Sequence, residues 1–290
     1  MVVLVTGANG QLGQAIKFVS EKYSQIDFVF CSSNDLDITN KKNCLEVFSL
    51  HQPKFCINAA AYTAVDKAES ESEKAHLINV VGSKNIAEVC KEFGSILLHV
   101  STDFVFDGNN TKPYSEESVP NPTGVYGQTK LDGEKAIQET LEHYFILRTS
   151  WVYSQFANNF MKTMLRLASE RETLSVVNDQ IGTPTNAVDL ADALITLVLK
   201  TQDPEYTNKH FFGIYNFSNE GQCSWYEFAK KIFEIRNVTI NLLPIPTSSF
   251  PTPAKRPSFS VLDKSKIKQN FNLQINKWED SLIATLKDFY

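Results

Sequence analysis

The sequence predicts an α/β fold, a doubly wound parallel sheet with a smaller, interleaved C-terminal domain. Three observations carry the prediction. Short β-branched runs alternate with amphipathic helical stretches through the first half. Those runs are apolar nearly throughout, as strands buried on both faces must be. The polar segments 7–13, 59–63, 101–103 and 150–151 each follow a strand directly, so a parallel sheet would gather them on one rim beyond its strand ends.

Element by element, Val2–Thr6 reads as the first strand, and Leu12–Lys22 as a helix with apolar spacing at Leu12, Ile16 and Val19. Phe28–Cys31 is the second strand, and Lys41–Leu50 a helix capped by Thr39 or Asn40. Phe55–Asn58 is the third strand, Glu73–Glu92 a long helix, and Ile96–Ser101 the fourth strand. A polar, proline-containing loop from Asp107 to Pro122 leads to a helix over Val125–Leu141 and a fifth strand over Phe145–Thr149. The second half is less regular. Helices are expected over Asn159–Glu170, Ala187–Leu199, Trp225–Glu234 and Trp278–Phe289, with short strands over Ser175–Val177 and Ile214–Phe217. Pro244–Pro257 holds five prolines and is expected to be irregular.

Bulk properties narrow the function. At 290 residues the chain exceeds the usual single-domain size, and 42% hydrophobic residues are ample for a core. A net charge of -5 with no basic stripe argues against nucleic acid as a partner. No apolar run is long enough to span a bilayer, and the chain opens on a strand rather than a leader, so a cytoplasmic protein without a membrane partner is expected. The five cysteines are scattered, odd in number and lack a Cys-x-x-Cys pair, which suits reduced, buried thiols. His51, His76, His99, His143 and His210 show no paired ligand spacing, so no metal is expected, and His99 reads as a satisfied core residue.

Gly7, Gly10 and Gly13 form a G-x-x-G-x-x-G series between the first strand and first helix. Glycine lets such a turn bring backbone amides close to phosphate, and the helix N-terminus adds favourable partial charge for a pyrophosphate. A dinucleotide on a Rossmann-type sheet follows. The second strand ends in Cys31-Ser32-Ser33, with neither an acidic nor a basic side chain to read the adenosine ribose. Ser32 suits either ribose form, which leaves NADPH or NADH open with a lean to NADPH or dual use. Asp37 and Ile38 either face the adenine or merely precede a helix. Ala59, Ala60 and Ala61 offer small side chains where backbone must pass close to the cofactor. Asn9, Gln11, Leu12 and Thr63 complete the expected cofactor-binding set. On this division, residues 1–151 form the dinucleotide-binding domain and 152–290 a smaller substrate-binding domain whose segments interleave with it.

Tyr126 and Lys130 lie four apart on one helix, so their side chains share a face. A free phenol titrates at about 10, and a nearby ammonium would lower that value and make Tyr126 a usable acid or base. Lys130 can also bond the nicotinamide ribose. Thr102, ending the fourth strand, supplies a hydroxyl to orient a substrate oxygen. Together with the glycine turn, the set points to hydride chemistry at a carbinol or carbonyl carbon.

These segments resemble the extended short-chain dehydrogenase/reductase superfamily. More narrowly, Ala59–Glu69, Ser101–Phe106, Tyr126–Lys135, Arg148–Tyr153, Asn178–Thr185 and Pro246–Pro257 resemble the dTDP-4-dehydrorhamnose reductase family, over nearly the whole chain. The resemblance implies an NAD(P)H-dependent reduction of the C4 ketone of a nucleotide sugar, by a monomer or homodimer. It implies that Tyr126 protonates the C4 oxygen, Lys130 holds the ribose, and Thr102 and Asp103 contact the sugar. Trp151 would shape the sugar pocket and Arg256 would reach the diphosphate; a core aromatic and a loop cover are their plain alternatives. Asn79 is expected to make a structural hydrogen bond. Some family members hold a divalent ion at a dimer contact through acidic residues on the first helix. Here that helix opens Gln11-Leu12-Gly13-Gln14-Ala15, which argues against a metal-bridged dimer.

Two rival functions are kept in view. A nucleotide-sugar dehydratase or epimerase shares the superfamily, yet Thr102-Asp103-Phe104 lacks the glutamate a 4,6-dehydratase needs. A non-catalytic subunit is the other, since the regulatory β subunit of methionine adenosyltransferase resembles this same family.

Overall fold

The computed structural model describes residues 1–207 and 209–287. In chain order its strands are β1 (Val2–Thr6), β2 (Asp27–Cys31), β3 (Phe55–Asn58), β4 (Ile96–Thr102), β5 (Tyr144–Thr149), β6 (Val152–Tyr153), β7 (Thr173–Val177), β8 (Ile181–Gly182), β9 (Thr185–Asn186), β10 (Gly213–Asn216), β11 (Cys223–Ser224) and β12 (Asn241–Ile245). The helices are α1 (Gln11–Ser20), α2 (Lys41–His51), α3 (Val65–Ala68), α4 (Ser72–His76), α5 (Ser83–Phe93), α6 (Val125–Thr140), α7 (Phe160–Glu170), α8 (Ala187–Lys200), α9 (Trp225–Ile235), α10 (Ser265–Phe271) and α11 (Trp278–Lys287).

A parallel sheet in the order β10-β5-β4-β3-β1-β2 forms the centre. Its apolar strands are covered on both faces, as their composition demands. On one face, Val3, Val5, Ile57 and Leu147 pack under Ile16 and Val19 of α1 and Leu190 and Leu194 of α8. On the other, Leu4, Cys56, Leu97 and Ile146 meet Phe48 of α2, Ile86 and Val89 of α5, and Ile137 of α6. A separate core under α7, α9 and α11 gathers Met161, Leu174, Phe228, Ile232 and Leu282. β10 and α8 come from beyond residue 151 and join the sheet and its helical cover. Among the described residues, no helix is long and apolar enough to cross a membrane.

Three differences from the sequence expectation have physical causes. The long helix expected over Glu73–Glu92 is interrupted by a π-helical turn, Leu77–Gly82, which swings Asn79 inward. Regular structure extends into the proline-rich stretch. Pro244 lies in β12 opposite Val176 of β7, and Thr247–Ser249 make a tight helical turn. Proline is tolerated there because β12 pairs with β7 alone, so its missing N–H faces an open edge. The short elements α3, α10, β6, β8, β9 and β11 were not expected from the sequence, being too brief to display a period. Asn40, rather than Thr39, caps α2, its side chain accepting from Asn43 N at 3.2 Å. Positions 288–289 of the last expected helix lie outside the described residues.

Candidate active site

The glycine turn is shaped by close approach. Gly7 sits at φ +65, where a Cβ would come within 2.7 Å of Ala60 N and 2.9 Å of Ala59 C. A Cβ on Gly13 would run into the Gly7 carbonyl and come within 2.7 Å of Ala8 Cα. Ala8 N donates to Cys31 O at 3.1 Å, tying the turn to the end of β2. Gly10 precedes α1 with no capping side chain, and the first turn of α1 carries no acidic residue. Its amides therefore face outward without competition, a fit for an anionic diphosphate.

The other expected cofactor residues divide by what their side chains do. Asn9 is exposed, and Leu12 packs on the sheet core. The Gln11 carboxamide is turned away to bridge the lobes: Nε2 donates to Val152 O at 3.0 Å, and Oε1 accepts from Asn159 Nδ2 at 2.7 Å. Asp37 accepts from Thr39 N and Oγ1 at 2.9 and 2.7 Å, while Ile38 is buried beneath Gly82. Both residues lie on the approach to α2. Ala59, Ala60 and Ala61 lie half-buried against the glycine turn, and Thr63 is exposed. Asn79 clamps this loop, accepting from Tyr62 N at 2.9 Å and donating to Thr129 Oγ1 of α6 at 3.1 Å.

A carboxylate does reach the end of β2, though not from the strand itself. Asp35 Oδ2 accepts from Ser32 N at 2.8 Å and Ser32 Oγ at 2.7 Å, and these bonds hold its carboxyl below the usual range. The three-residue spacing Ser-x-x-Asp was the available signal.

Thr102 ends β4 with its hydroxyl accepting from Phe104 N at 3.2 Å and donating to Asp103 Oδ1 at 3.0 Å. Burial pushes the Asp103 carboxyl up to about 6, against the opposing pull of the Ser260 and Thr102 hydroxyls. Tyr126 opens α6 beside them, edge-on to Phe104 with centroids 5.5 Å apart. Burial pushes its phenol up to about 12, while the Thr102 side chain pulls it down and the Asp103 charge pushes it further up.

Lys130 shares that face of α6 but faces inward. Its Nζ donates to Val100 O at 2.7 Å and lies 3.2 Å from His99 Nε2. Burial lowers it to about 8, with Glu134 working the other way. In the ligand-free protein the ammonium is directed at β4, and burial dominates the phenol. His99, expected to be a core residue, is buried but touches this lysine. Its ring is held well below the usual histidine range by burial and by the Lys130 charge.

Trp151 comes just after β5, and Arg256 comes from the proline-rich stretch. Trp151 follows β5 at φ +47, a strained value for a bulky side chain, and stacks on Trp225 with centroids 3.5 Å apart. Gly182 is needed beneath it, since a Cβ there would come within 2.6 Å of the indole. The Arg256 guanidinium lies 5.8 Å from the Phe104 ring and pairs with Asp66 of α3 at 2.7 Å. Its Nη1 is buried without a hydrogen-bond partner. Sequence reasoning missed Asp66, His99 and Glu134 because nothing local marks them. A cleft of about 480 Å³ opens along Asp179, Phe250, Pro251 and Arg256.

The chain matches the family model described as RmlD substrate binding domain over residues 1–290. It is 41% identical to a dTDP-4-dehydrorhamnose reductase of Aggregatibacter actinomycetemcomitans, covering 97% of this chain and 96% of that protein. Its fold is similar to that of the Clostridium acetobutylicum dTDP-4-dehydrorhamnose reductase, with a TM-score of 0.93, 38% identity and 99% of each chain covered. The Bacillus anthracis dTDP-4-dehydrorhamnose reductase, solved in complex with NADP, gives 0.92 and 40% identity over 99% of each chain.

Proposed function

The chain belongs to the RmlD substrate binding domain family, and on that premise we propose that it is an NAD(P)H-dependent oxidoreductase. It reduces the C4 ketone of dTDP-4-dehydro-β-L-rhamnose to give dTDP-β-L-rhamnose. One observation supports this reading: the glycine turn follows β1 and Thr102 ends β4 at the same carboxyl edge of one parallel sheet, where α/β sheets bind ligands, and α6 brings Tyr126 against Phe104 and Lys130 against Val100 beside Thr102.

The cradle fits a dinucleotide, because glycine is obligatory at Gly7 and Gly13 and the amides opening α1 are free of competing side chains. Gly7, Gly10 and Gly13 would hold the diphosphate, with Asn9, Gln11 and Leu12 contributing backbone. Ser32, Asp37, Ile38, Ala59, Ala60, Ala61 and Thr63 would line the adenosine and nicotinamide halves, and Lys130 would hold the ribose. A bound nicotinamide in its reduced form supplies the hydride. The chain's own residues then manage the proton. Thr102 bonds the ketone oxygen, Tyr126 gives its phenolic proton to that oxygen, and the Lys130 charge favours the phenolate left behind.

Asp103 would contact the sugar, Trp151 would cover its apolar face, and Arg256 would turn its unpartnered Nη1 to the diphosphate. Residues 1–151 would hold the cofactor, and 152–290 would complete the sugar site that Thr102, Asp103 and Trp151 begin. NADPH and NADH both serve, since residues 31–35 contain no cation to demand a 2′-phosphate. The enzyme works as a monomer or homodimer in the cytoplasm, a reducing compartment suited to five free, buried thiols.

The test is to supply enzymatically made dTDP-4-dehydrorhamnose with NADPH or NADH, following nicotinamide absorbance and identifying the product by NMR. Stoichiometric oxidation with formation of dTDP-rhamnose is expected. Absence of reduction with either cofactor would overturn the assignment, and co-purification of a partner enzyme would then favour a non-catalytic subunit.

A further inference from the structure

We propose that His99, anchored by Asn58 and Thr6, is a positioning residue for Lys130, fixing where the lysine nitrogen sits and when it carries charge. Strand register alone lines the three up. Thr6 pairs with Asn58 between β1 and β3, and Asn58 pairs with His99 between β3 and β4. Ala60 N donates to Thr6 Oγ1 at 3.2 Å, and Thr6 Oγ1 lies 2.6 Å from Asn58 Oδ1. Asn58 Nδ2 lies 3.1 Å from His99 Nδ1, and His99 Nε2 lies 3.2 Å from Lys130 Nζ. Every member is buried: Thr6 0%, Asn58 1%, His99 1% and Lys130 2% exposed.

An apolar filling would be the simpler way to pack these positions, because buried polar groups are costly unless all are satisfied. Here they are satisfied by one another, in a continuous path from the glycine turn to the lysine. Donor counting gives the path a direction. An ammonium has hydrogens and no lone pair, so a charged Lys130 requires a bare Nε2 and a proton on Nδ1. Asn58 must then present its oxygen to the ring. A neutral Lys130 gains a lone pair and can accept from Nε2–H, an arrangement that goes with the opposite carboxamide orientation, with Thr6 donating to Asn58 Oδ1. The tautomer of His99 and the charge of Lys130 are thus coupled.

The ring can accept because burial and the lysine charge keep it neutral. Other groups near Lys130 are accounted for. Glu134 lies on α6 and is held by Ser101 of β4 and Arg148 of β5, and Tyr126 opens α6. The helix against this side presents Asn79 and Ser83 at Gly133, and neither titrates. The inference rests on the proposed role of Lys130, so its experiment includes a readout independent of turnover.

Histidine-selective 15N NMR of the ligand-free protein should find His99 as Nδ1–H while Lys130 is charged. The ring should pass to Nε2–H as Lys130 titrates, at about 8. Lys130→Met should abolish that pH dependence, and His99→Gln identifies the signal. In kinetics, His99→Leu should lower turnover about tenfold and move the alkaline limb of its pH profile down by about one unit, the strength of one hydrogen bond to an ammonium. The cofactor KM should change little, and His99→Gln, which restores an acceptor, should recover most of both effects. A purely packing role would lower turnover without moving the limb. One fixed tautomer across the lysine titration, or an unmoved limb in His99→Leu, overturns the inference. Should His99→Leu fail to fold, the Gln variant and the NMR titration decide. A wild-type protein that reduces no ketone sinks the proposed function instead and leaves the ring readout to judge this one.

Discussion

Glu134 grips Arg148 through two hydrogen bonds, Nε to Oε1 at 3.0 Å and Nη2 to Oε2 at 2.7 Å, with Ser101 donating to the same Oε1. Both side chains are shut away from water, and the guanidinium carbon lies 5.2 Å from the Phe106 ring. The pair joins α6 to β5 directly beside the strand that carries Thr102.

Breaking a buried pair leaves one charge stranded. Glu134→Ala should therefore cost about 3–5 kcal/mol in urea unfolding, whereas the double replacement of Glu134 and Arg148 by Met should recover much of the loss. A single-variant loss below about 1 kcal/mol would show that water or another group compensates Arg148.

Tyr126→Phe removes only the phenolic oxygen from a ring that keeps its edge contact with Phe104. Turnover should fall about a hundredfold or more, while NAD(P)H affinity measured by fluorescence titration stays near wild type. Near-normal turnover would remove Tyr126 as the acid.

Gly13 and Gly10 should respond very differently to alanine. A methyl on Gly13 meets rigid backbone at Ala8 Cα, 2.7 Å away, whereas on Gly10 its nearest neighbour is Gly7 O at 3.2 Å. Gly13→Ala should lower stability by more than about 2 kcal/mol and weaken cofactor binding, and Gly10→Ala should stay within about 1 kcal/mol. Thermal unfolding of the two variants, with and without NADPH, checks this. Equal effects would mean that the turn has room for a methyl group at both positions.

The buried Asp103 carboxyl gives a stability trend with a definite sign. Its value rises from 3.8 to about 6 on folding, so through that window the folded state binds a proton that the unfolded chain has lost. Stability therefore falls as pH rises from about 4 to about 6, and this contribution is flat above. Asp103→Asn should remove the trend and stabilise the protein at neutral pH by on the order of 2–3 kcal/mol. Parallel stability–pH curves for wild type and variant would refute it.

Much of the candidate site was legible because it is local in sequence. The turn between β1 and α1 shows its glycines at fixed spacing, and Tyr126 and Lys130 sit one helical turn apart. Trp151 and Arg256 were recognisable only by resemblance; their contacts, with Trp225 and Asp66, come from segments far away in the chain. Short strands such as β8 and β9 were invisible, since two residues cannot express a period.

The sequence by itself determined the alternation of strands and helices in the first half, the glycine turn, the tyrosine–lysine spacing and the family, because each is written in neighbouring residues. Tertiary structure alone decided what Lys130 touches. Thr6, Asn58, His99 and Lys130 are separated by 52, 41 and 31 positions, and only the register of three parallel strands under α6 brings them into one line. The same burial sets the charge of His99 and Lys130, by withdrawing water that would otherwise hold each near its ordinary value.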